Sequence, residues 1–234
     1  MIATDILLLQ HAPYFRDLPP EDLALVAGHT RRRTLAAGEI VVLEGQPAEA
    51  LYLVCGGHVR MFRSTAEGRE QVLYMAGPGD TFNDEAVFDG GVNLANAQAI
   101  DPGTCIRLVP VSVLARILAR NPRMAARAVA MLAGRTRQLA ALVEDVSLHD
   151  TTQRVARFLE DEAGASGTVV VNRQELASRI GSVREVVSRT LSRLEQVGAI
   201  TRQDARTLRI NTPVLHAFAD PGSPTARPHA VAAR

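Results

Sequence analysis

The chain has 234 residues, 47% of them hydrophobic and 22% charged, with 26 basic residues against 25 acidic ones. That is apolar material for one or two packed domains, and the charge balance excludes a globally polycationic or polyacidic protein. No apolar run approaches the roughly 20 residues of a membrane span, Met1-Ile2-Ala3-Thr4-Asp5 lacks the basic and apolar regions of a signal peptide, and Cys55 and Cys105 are too few for a disulfide framework or a four-thiolate cluster, so a cytoplasmic location is expected.

Residues 5–28 carry a helical pattern in Ile6, Leu9, Leu18, Leu23, Leu25 and Val26 around Pro19-Pro20. From about 30 to 110 the period changes. Short β-like runs (39–43, 51–54, 59–63, 71–75) alternate with glycine turns such as Gly56-Gly57 and Gly77-Pro78-Gly79-Asp80, a spacing that predicts a sandwich or barrel. Val111 to Arg120 reads as a helix, and Asn121-Pro122 starts another that runs to about Ser147. Ala128, Leu132, Arg135, Leu139, Leu142 and Val146 follow a 4-3-4-3-4 spacing, a heptad seam that predicts a parallel coiled coil between two protomers. The alternative is an ordinary helix packed on its own domain. Arg135 is a polar intrusion in that seam, suited to set register or touch a ligand.

A domain boundary is expected near His149-Asp150, followed by a helix from Asp150 to Glu162 closed by Gly164-Ala165-Ser166-Gly167. Two short helices then flank a turn at Gly181, a residue tolerant of φ > 0. The first, Arg173 to Ile180, puts Leu176, Ala177 and Ile180 on one side. The second runs from Val183 to Gly198 and has two contrasting faces. Val187, Thr190, Leu191 and Leu194 form one, while Arg184, Glu185, Ser188 and Arg189 stand at i, i+1, i+4 and i+5 on the other. Those groups match base edges: Arg to guanine, Glu to cytosine, Ser to several. Ala199-Ile200-Thr201 and Thr207-Leu208-Arg209-Ile210, joined by a polar tip, read as a wing, which completes a winged helix-turn-helix. Solvated ion pairs on a surface helix would give a similar alternation of Arg and Glu. Residues 172–210, however, carry eight Arg against four carboxylates, and the local charge excess suits a phosphate-facing surface. The chain has no Lys, so the choice of Arg over Lys carries no weight by itself.

Taken in order, the barrel pattern, the long helix and the winged reader resemble the Crp/Fnr family of bacterial transcription regulators. Gly38-Glu39-Ile40 with Glu44-Gly45 is similar to that family's first strand pair. Leu51-Tyr52-Leu53-Val54 through Gly56-Gly57-His58-Val59 resembles its "LYxxxxGxV" strand, and Gly79-Asp80-Thr81-Phe82 its "GDxF" turn. Arg173-Gln174-Glu175-Leu176-Ala177 with Val183 to Arg189 resembles its "RQEIA…SRETVSR" signature, the most specific match. The resemblance implies an α+β chain: an N-terminal cyclic-nucleotide-binding-like β-barrel (jelly roll) over 1–110, a dimerisation helix region over 111–149, and a winged helix-turn-helix over 150–213. Residues 214–234 are expected to be a disordered tail.

The family's pattern implies double-stranded DNA and RNA polymerase as partners, and a homodimer with a seam at Ala128, Leu132, Leu139, Leu142 and Val146. It places Arg173, Gln174, Ser182, Arg184, Glu185, Ser188 and Arg189 at DNA, with an inverted-repeat, TGA-containing site. Ser188 beside Glu185 and Arg189 resembles TTGAT readers, Arg184 resembles TGTGA readers, and both half-sites stay open. The connection between Glu162 and Thr168, where the cyclic-AMP receptor contacts polymerase, is short in this chain.

The effector pocket maps to Phe82, Asn83, Asp84, Glu85, Leu94, Ala95, Arg135 and Leu139. The segment from Phe82 to Gly91 looks intact but belongs to a less characterised branch. The family's phosphate-gripping Arg-Ser pair falls on Leu94-Ala95, and the positions that meet the base fall on Leu139-Ala140. An apolar pair cannot hold a phosphate, so cyclic AMP is not expected as effector. No N-terminal cysteine cluster exists for an iron–sulfur cluster. Haem, in a gas-responsive member of the family, is the open alternative because His58 stands near Cys55. A metal enzyme on a cupin-like barrel is disfavoured: His11, His29, His58, His149, His216 and His229 form no H-x-H motif, and no nucleophile motif is present.

Overall fold

The computed structural model describes residues 2–221, and the chain divides into two compact units, residues 1–63 with 73–140 and residues 64–72 with 141–234. The division falls inside the long helix rather than at its end near His149.

The chain begins with α1 (Ile2–His11) and α2 (Pro20–His29), then β1 (Arg31–Leu35), β2 (Ile40–Val42), β3 (Ala50–Gly56), β4 (Val59–Ser64), β5 (Glu70–Ala76) and β6 (Thr81–Phe82). The turn α3 (Asp84–Asp89), β7 (Asn96–Ala99), β8 (Thr104–Pro110), α4 (Val111–Leu118) and α5 (Pro122–Leu148) follow. Two four-stranded sheets form, in the orders β1-β8-β3-β6 and β2-β7-β4-β5, with antiparallel pairing at β1·β8, β3·β8, β3·β6, β2·β7 and β4·β7.

β3 shows why the run Leu51-Tyr52-Leu53-Val54 has no polar alternation. Tyr52 and Val54 enter the core with Phe82, Met61 and Ile106, while Leu51 and Leu53 pack under the helices with Tyr14, Phe15 and Leu114. Both faces of the strand are buried, so both are apolar. β1 was not apparent in the sequence because Arg31, Arg32 and Arg33 are exposed and only Leu35 is buried.

Asn121 accepts from the Met124 amide with its side chain, and Pro122 opens α5. Met124 and Ala128 then enter the same core as Val113, Leu114 and Ile117. Ala128, expected in a seam between protomers, is only 6% exposed and belongs to its own core. Arg135 likewise turns into its own domain, and Leu142 follows the same stripe by helical geometry. The outward row keeps Leu132, Leu139 and Val146 of the expected seam and replaces Ala128 and Leu142 by Val129 and Val143. Val129 (68% exposed), Val143 (64%) and Val146 are exposed, Leu132 and Leu139 half-buried, and with Thr136 they repeat at 3-4-3-4-3.

The second unit contains α6 (Thr151–Ala163), β9 (Thr168–Val170), α7 (Arg173–Arg179), α8 (Arg184–Gln196), β10 (Ile200–Arg202), β11 (Thr207–Ile210) and α9 (Thr212–Ala219). Asp150 and Gln153 form a reciprocal capping box at the start of α6. The wing is a sheet in the order β10-β11-β9. Val155, Leu159, Leu176, Val187, Leu191, Leu194 and Leu208 share one core.

The expected tail from 214 onward is corrected in part. Pro213 sits in the first turn of α9, and Leu215 and Ala219 are buried in that core. Residues 222–234 lie outside the described residues.

α7 ends in a Schellman turn. Gly181 takes φ +65°, and the Ser182 amide donates to the Ala177 carbonyl at 2.9 Å. Gly28, in contrast, is helical, exposed and has open space where a Cβ would go. Gly181→Ala is therefore expected to destabilise by about 1–2 kcal/mol, and Gly28→Ala to be neutral or stabilising by up to about 1 kcal/mol. Denaturant unfolding followed by circular dichroism reads the two opposite signs.

Candidate nucleic-acid interface and sensor cluster

The reader is built from local rules. Asn172 Oδ1 accepts from the Gln174 and Glu175 amides and fixes the start of α7. The Schellman turn then redirects the chain into α8, whose apolar stripe is buried. Burial of Val187, Thr190, Leu191 and Leu194 leaves Arg184, Glu185 and Arg189 exposed, with Ser188 half-buried between them. Among the described residues no carboxylate pairs with Arg184 or Arg189. Elsewhere in the module the positive charge is spent internally: Arg179 pairs with Glu162 and Glu175, and Arg202 with Glu195. The exposed guanidinium groups on α8 are thus free for an outside partner.

Beside the helix, Arg173, Gln174, Arg184 and Arg206 line a cleft of about 330 Å³ with Asn172 and Ala205. Three guanidinium groups converging from α7, α8 and the wing tip suit a phosphate backbone. Ser182 is half-buried in the turn. The structure brings all seven expected DNA-facing residues into one module. Arg206 is an addition; it was counted only toward charge because the tip between β10 and β11 has no periodic signal.

The first unit holds a second polar constellation. Arg135 on α5 is 12% exposed. Its Cζ lies 3.3 Å from the centroid of the Tyr74 ring, a cation–π contact. Its guanidinium donates to the Thr81 carbonyl at 3.3 Å and to Gln138 Oε1 at 3.0 Å. Asp84 Oδ2 and Glu85 Oε1 each stand 3.8 Å from it. Asn83, at φ +67°, turns the chain so that both acids enter the first turn of α3, and its side chain donates to the Ala50 carbonyl. Phe82 stacks on Tyr52 at 4.9 Å and forms the floor.

Burial, reinforced by the Glu85 carboxylate, raises the Asp84 carboxyl to about 6, against the opposing pull of Tyr14, Arg135 and Thr81. Burial also pushes the Tyr14 and Tyr74 phenols up. The Tyr14 hydroxyl lies beside Asp84 but falls short of hydrogen-bond geometry, and Tyr74 Oη, Asp84 Oδ1 and Glu85 Oε1 are also buried without a hydrogen-bond partner. Met75, Thr81, Met131, Gly134, Arg135 and Gln138 line an adjoining cleft of about 340 Å³.

Of the residues expected in an effector pocket, Phe82, Asn83, Asp84, Glu85 and Arg135 come together. Leu94 is 44% exposed and Ala95 is buried in the sheet core, so neither offers a polar grip. Leu139 lies half-buried on the outward row of α5. Tyr14 and Tyr74 were missed, because a lone aromatic among apolar residues reads as core, and Thr81 was read only as part of the turn at 79–82. His58 sits at the surface, its Nδ1 2.8 Å from Asp101 Oδ2.

In the folded state Asp84 keeps its proton to about pH 6, whereas an unfolded carboxyl releases it near 4. The native chain therefore binds more protons between those values, and stability from this group falls as pH rises from about 4 to 6. Asp84→Asn removes that slope. Between pH 4.5 and 7 the variant should gain on the order of 2 kcal/mol relative to wild type, measured by denaturant unfolding at both values. A constant difference would show that Asp84 does not titrate there.

Comparison with known proteins agrees with this architecture. Residues 32–121 match the family described as cyclic nucleotide-binding domain, and residues 153–215 the Crp-like helix-turn-helix domain. The chain is similar to the cyclic AMP receptor protein of Thermus thermophilus, 31% identical over 194 residues that cover 82% of this chain and 89% of the relative. It is similar to the nitrogen fixation regulation protein FixK of Azorhizobium caulinodans, 30% identical over 173 residues, 70% of this chain and 68% of the relative. The solved structure of FixK2 from Bradyrhizobium japonicum superposes with a TM-score of 0.67 at 28% identity, covering 81% of this chain and 96% of that one.

Proposed function

Because the chain belongs to the Crp/Fnr family of DNA-binding transcription regulators, a family of regulators and not of enzymes, we propose that it acts as a homodimer. The dimer reads an inverted-repeat, TGA-containing site under the control of an effector other than cyclic AMP. The observation that carries this reading is the exposed, unpaired row of Arg184, Glu185 and Arg189 on α8 beside the arginine-lined cleft. Arg184 and Arg189 suit guanine, Glu185 suits cytosine, and Arg173 and Arg206 suit phosphates. Two-fold symmetry then separates the half-sites by about one helical turn, roughly 34–36 Å.

The outward row of Val129, Leu132, Thr136, Leu139, Val143 and Val146 supports dimerisation. Its three valines are exposed and its two leucines half-buried in a single chain, a mostly apolar helical stripe of the kind a coiled-coil seam uses. RNA polymerase is a second proposed partner. The connection from α6 to β9 is a compact turn at Gly164–Ser166, so an extended loop is not what makes that contact. No described helix is long and apolar enough to cross a membrane, and a chromosomal target places the protein in the cytoplasm.

Family membership leaves the effector open, since one relative is named for cyclic AMP and another for nitrogen fixation. The Arg135 cluster argues against a cyclic phosphate. Its one buried cation already faces two carboxylates, and Leu94 and Ala95 supply no donor. A third anion there would be repelled. Haem does not fit His58, which faces Asp101 at the surface. We place the effector in the cleft against Arg135, where unpartnered Tyr74, Asp84 and Glu85 oxygens lie close by.

Gel shifts on inverted-repeat TGA duplexes test the reader. Arg189→Ala should cost about 1–3 kcal/mol and relax preference at one base pair. Equal weakening on every sequence would make Arg189 a phosphate contact. Val143→Glu, at a site that is largely exposed in the single chain, should convert the dimer to monomer in sedimentation equilibrium and lower DNA affinity at least ~100-fold. An unchanged mass would remove this face from the dimer.

A further inference from the structure

The register of the first sheet brings its two cysteines together. Val54 pairs with Ile106 and Gly56 with Cys105, so Cys55 is the extra residue of a β-bulge opposite Cys105. Leu53 pairs with Arg107, and Cys55 stands two residues after Leu53, which puts Cys55, Cys105 and Arg107 on the same face of the sheet. The backbone here is tightly held. A Cβ at Gly57, the next residue, would lie 2.5 Å from Thr104 Oγ1 and 3.0 Å from Thr104 Cα.

Both thiols are free and half-buried, which leaves them open to a small molecule. Burial, with the neighbouring Cys105 sulfur, pushes the Cys55 thiol up to about 11 against the opposing pull of Arg107. Arg32 from β1 donates its Nε to Cys105 Sγ at 3.3 Å. The two sulfurs are therefore not equivalent. Cys105 has a guanidinium donor at its sulfur, while at Cys55 burial outweighs the pull of Arg107 and keeps the sulfur protonated.

We propose that Cys55 and Cys105 form a reversible oxidation site that takes hydroperoxides and closes to an intramolecular cross-strand disulfide. Cys105 sulfur attacks the peroxide. The O–O bond breaks, an S–O bond forms, and the leaving oxygen departs as water from hydrogen peroxide or as an alcohol from an organic hydroperoxide. Cys55 sulfur then attacks the Cys105 sulfenic acid. The S–S bond forms, the S–O bond breaks, and hydroxide leaves with the Cys55 proton as water. The two thiols lose two electrons in all, and the peroxide gains two. The site is independent of the DNA reader and of the Arg135 cleft, so it stands whether or not an effector binds there.

The test uses the full-length reduced protein, hydrogen peroxide, alkylation and peptide mass spectrometry without reduction. The expected product is a single linked pair of peptides carrying Cys55 and Cys105, lighter by two hydrogens and released by dithiothreitol. Cys55→Ser should stop at a Cys105 sulfenic acid that dimedone traps. Cys105→Ser should leave Cys55 alkylatable at the same dose. Arg32→Gln should slow Cys105 oxidation several-fold yet leave the linked product unchanged. Two thiols still alkylatable in the wild type, separate sulfinic acids on each, or a disulfide between chains would each overturn the proposal.

Discussion

Arg135 is the contact on which the placement of the long helix depends. A guanidinium this deeply buried is costly unless its charge is met. It is met from several sides, by Asp84 and Glu85 from α3, the Tyr74 ring from β5 and the Thr81 carbonyl from β6. These contacts, with Met124 and Ala128 about three and two helical turns earlier, fix the rotation of α5 about its axis. Once Arg135 points inward, helical geometry turns the row from Val129 to Val146 outward, roughly a quarter turn away. The same helix thus carries the Arg135 charge on one stripe and a candidate dimer surface on the next. A change in what Arg135 holds is in a position to change what the outer row presents.

The cluster is also where the chain departs from simple consistency. Two carboxylates face one buried cation, and several buried oxygens lack partners. Natural proteins tolerate such arrangements at functional sites. The chemistry of the cluster is acidic as well as basic.

The reader was legible in the sequence because everything that defines it is local. Asn172 caps, Gly181 turns, and the faces of α8 separate within thirteen residues. The barrel was legible as a class from its glycine turns, but β1 hid behind three exposed arginines. The seam was legible as a period, with Leu132, Leu139 and Val146 on the outward row, but Ala128 turns into its own core. In an alanine-rich helix, 4-3 spacing fits either of two neighbouring stripes, and only the contacts of Ala128 and Arg135 with distant segments choose between them. Tyr14 and Tyr74 joined the site from 70 and 10 residues before Asp84, separations over which no local pattern runs. α9 was overlooked for a different reason: Pro213 was taken as the end of structure, although proline is at home in a helix's first turn.

The central claim is that two copies of α8 read two half-sites on one face of DNA. Hydroxyl-radical footprinting on a duplex selected by the full-length protein tests it most directly. The account predicts two protected patches, symmetry-related and centred about 10–10.5 base pairs apart. A single patch, or two that are not related by inversion, would contradict it.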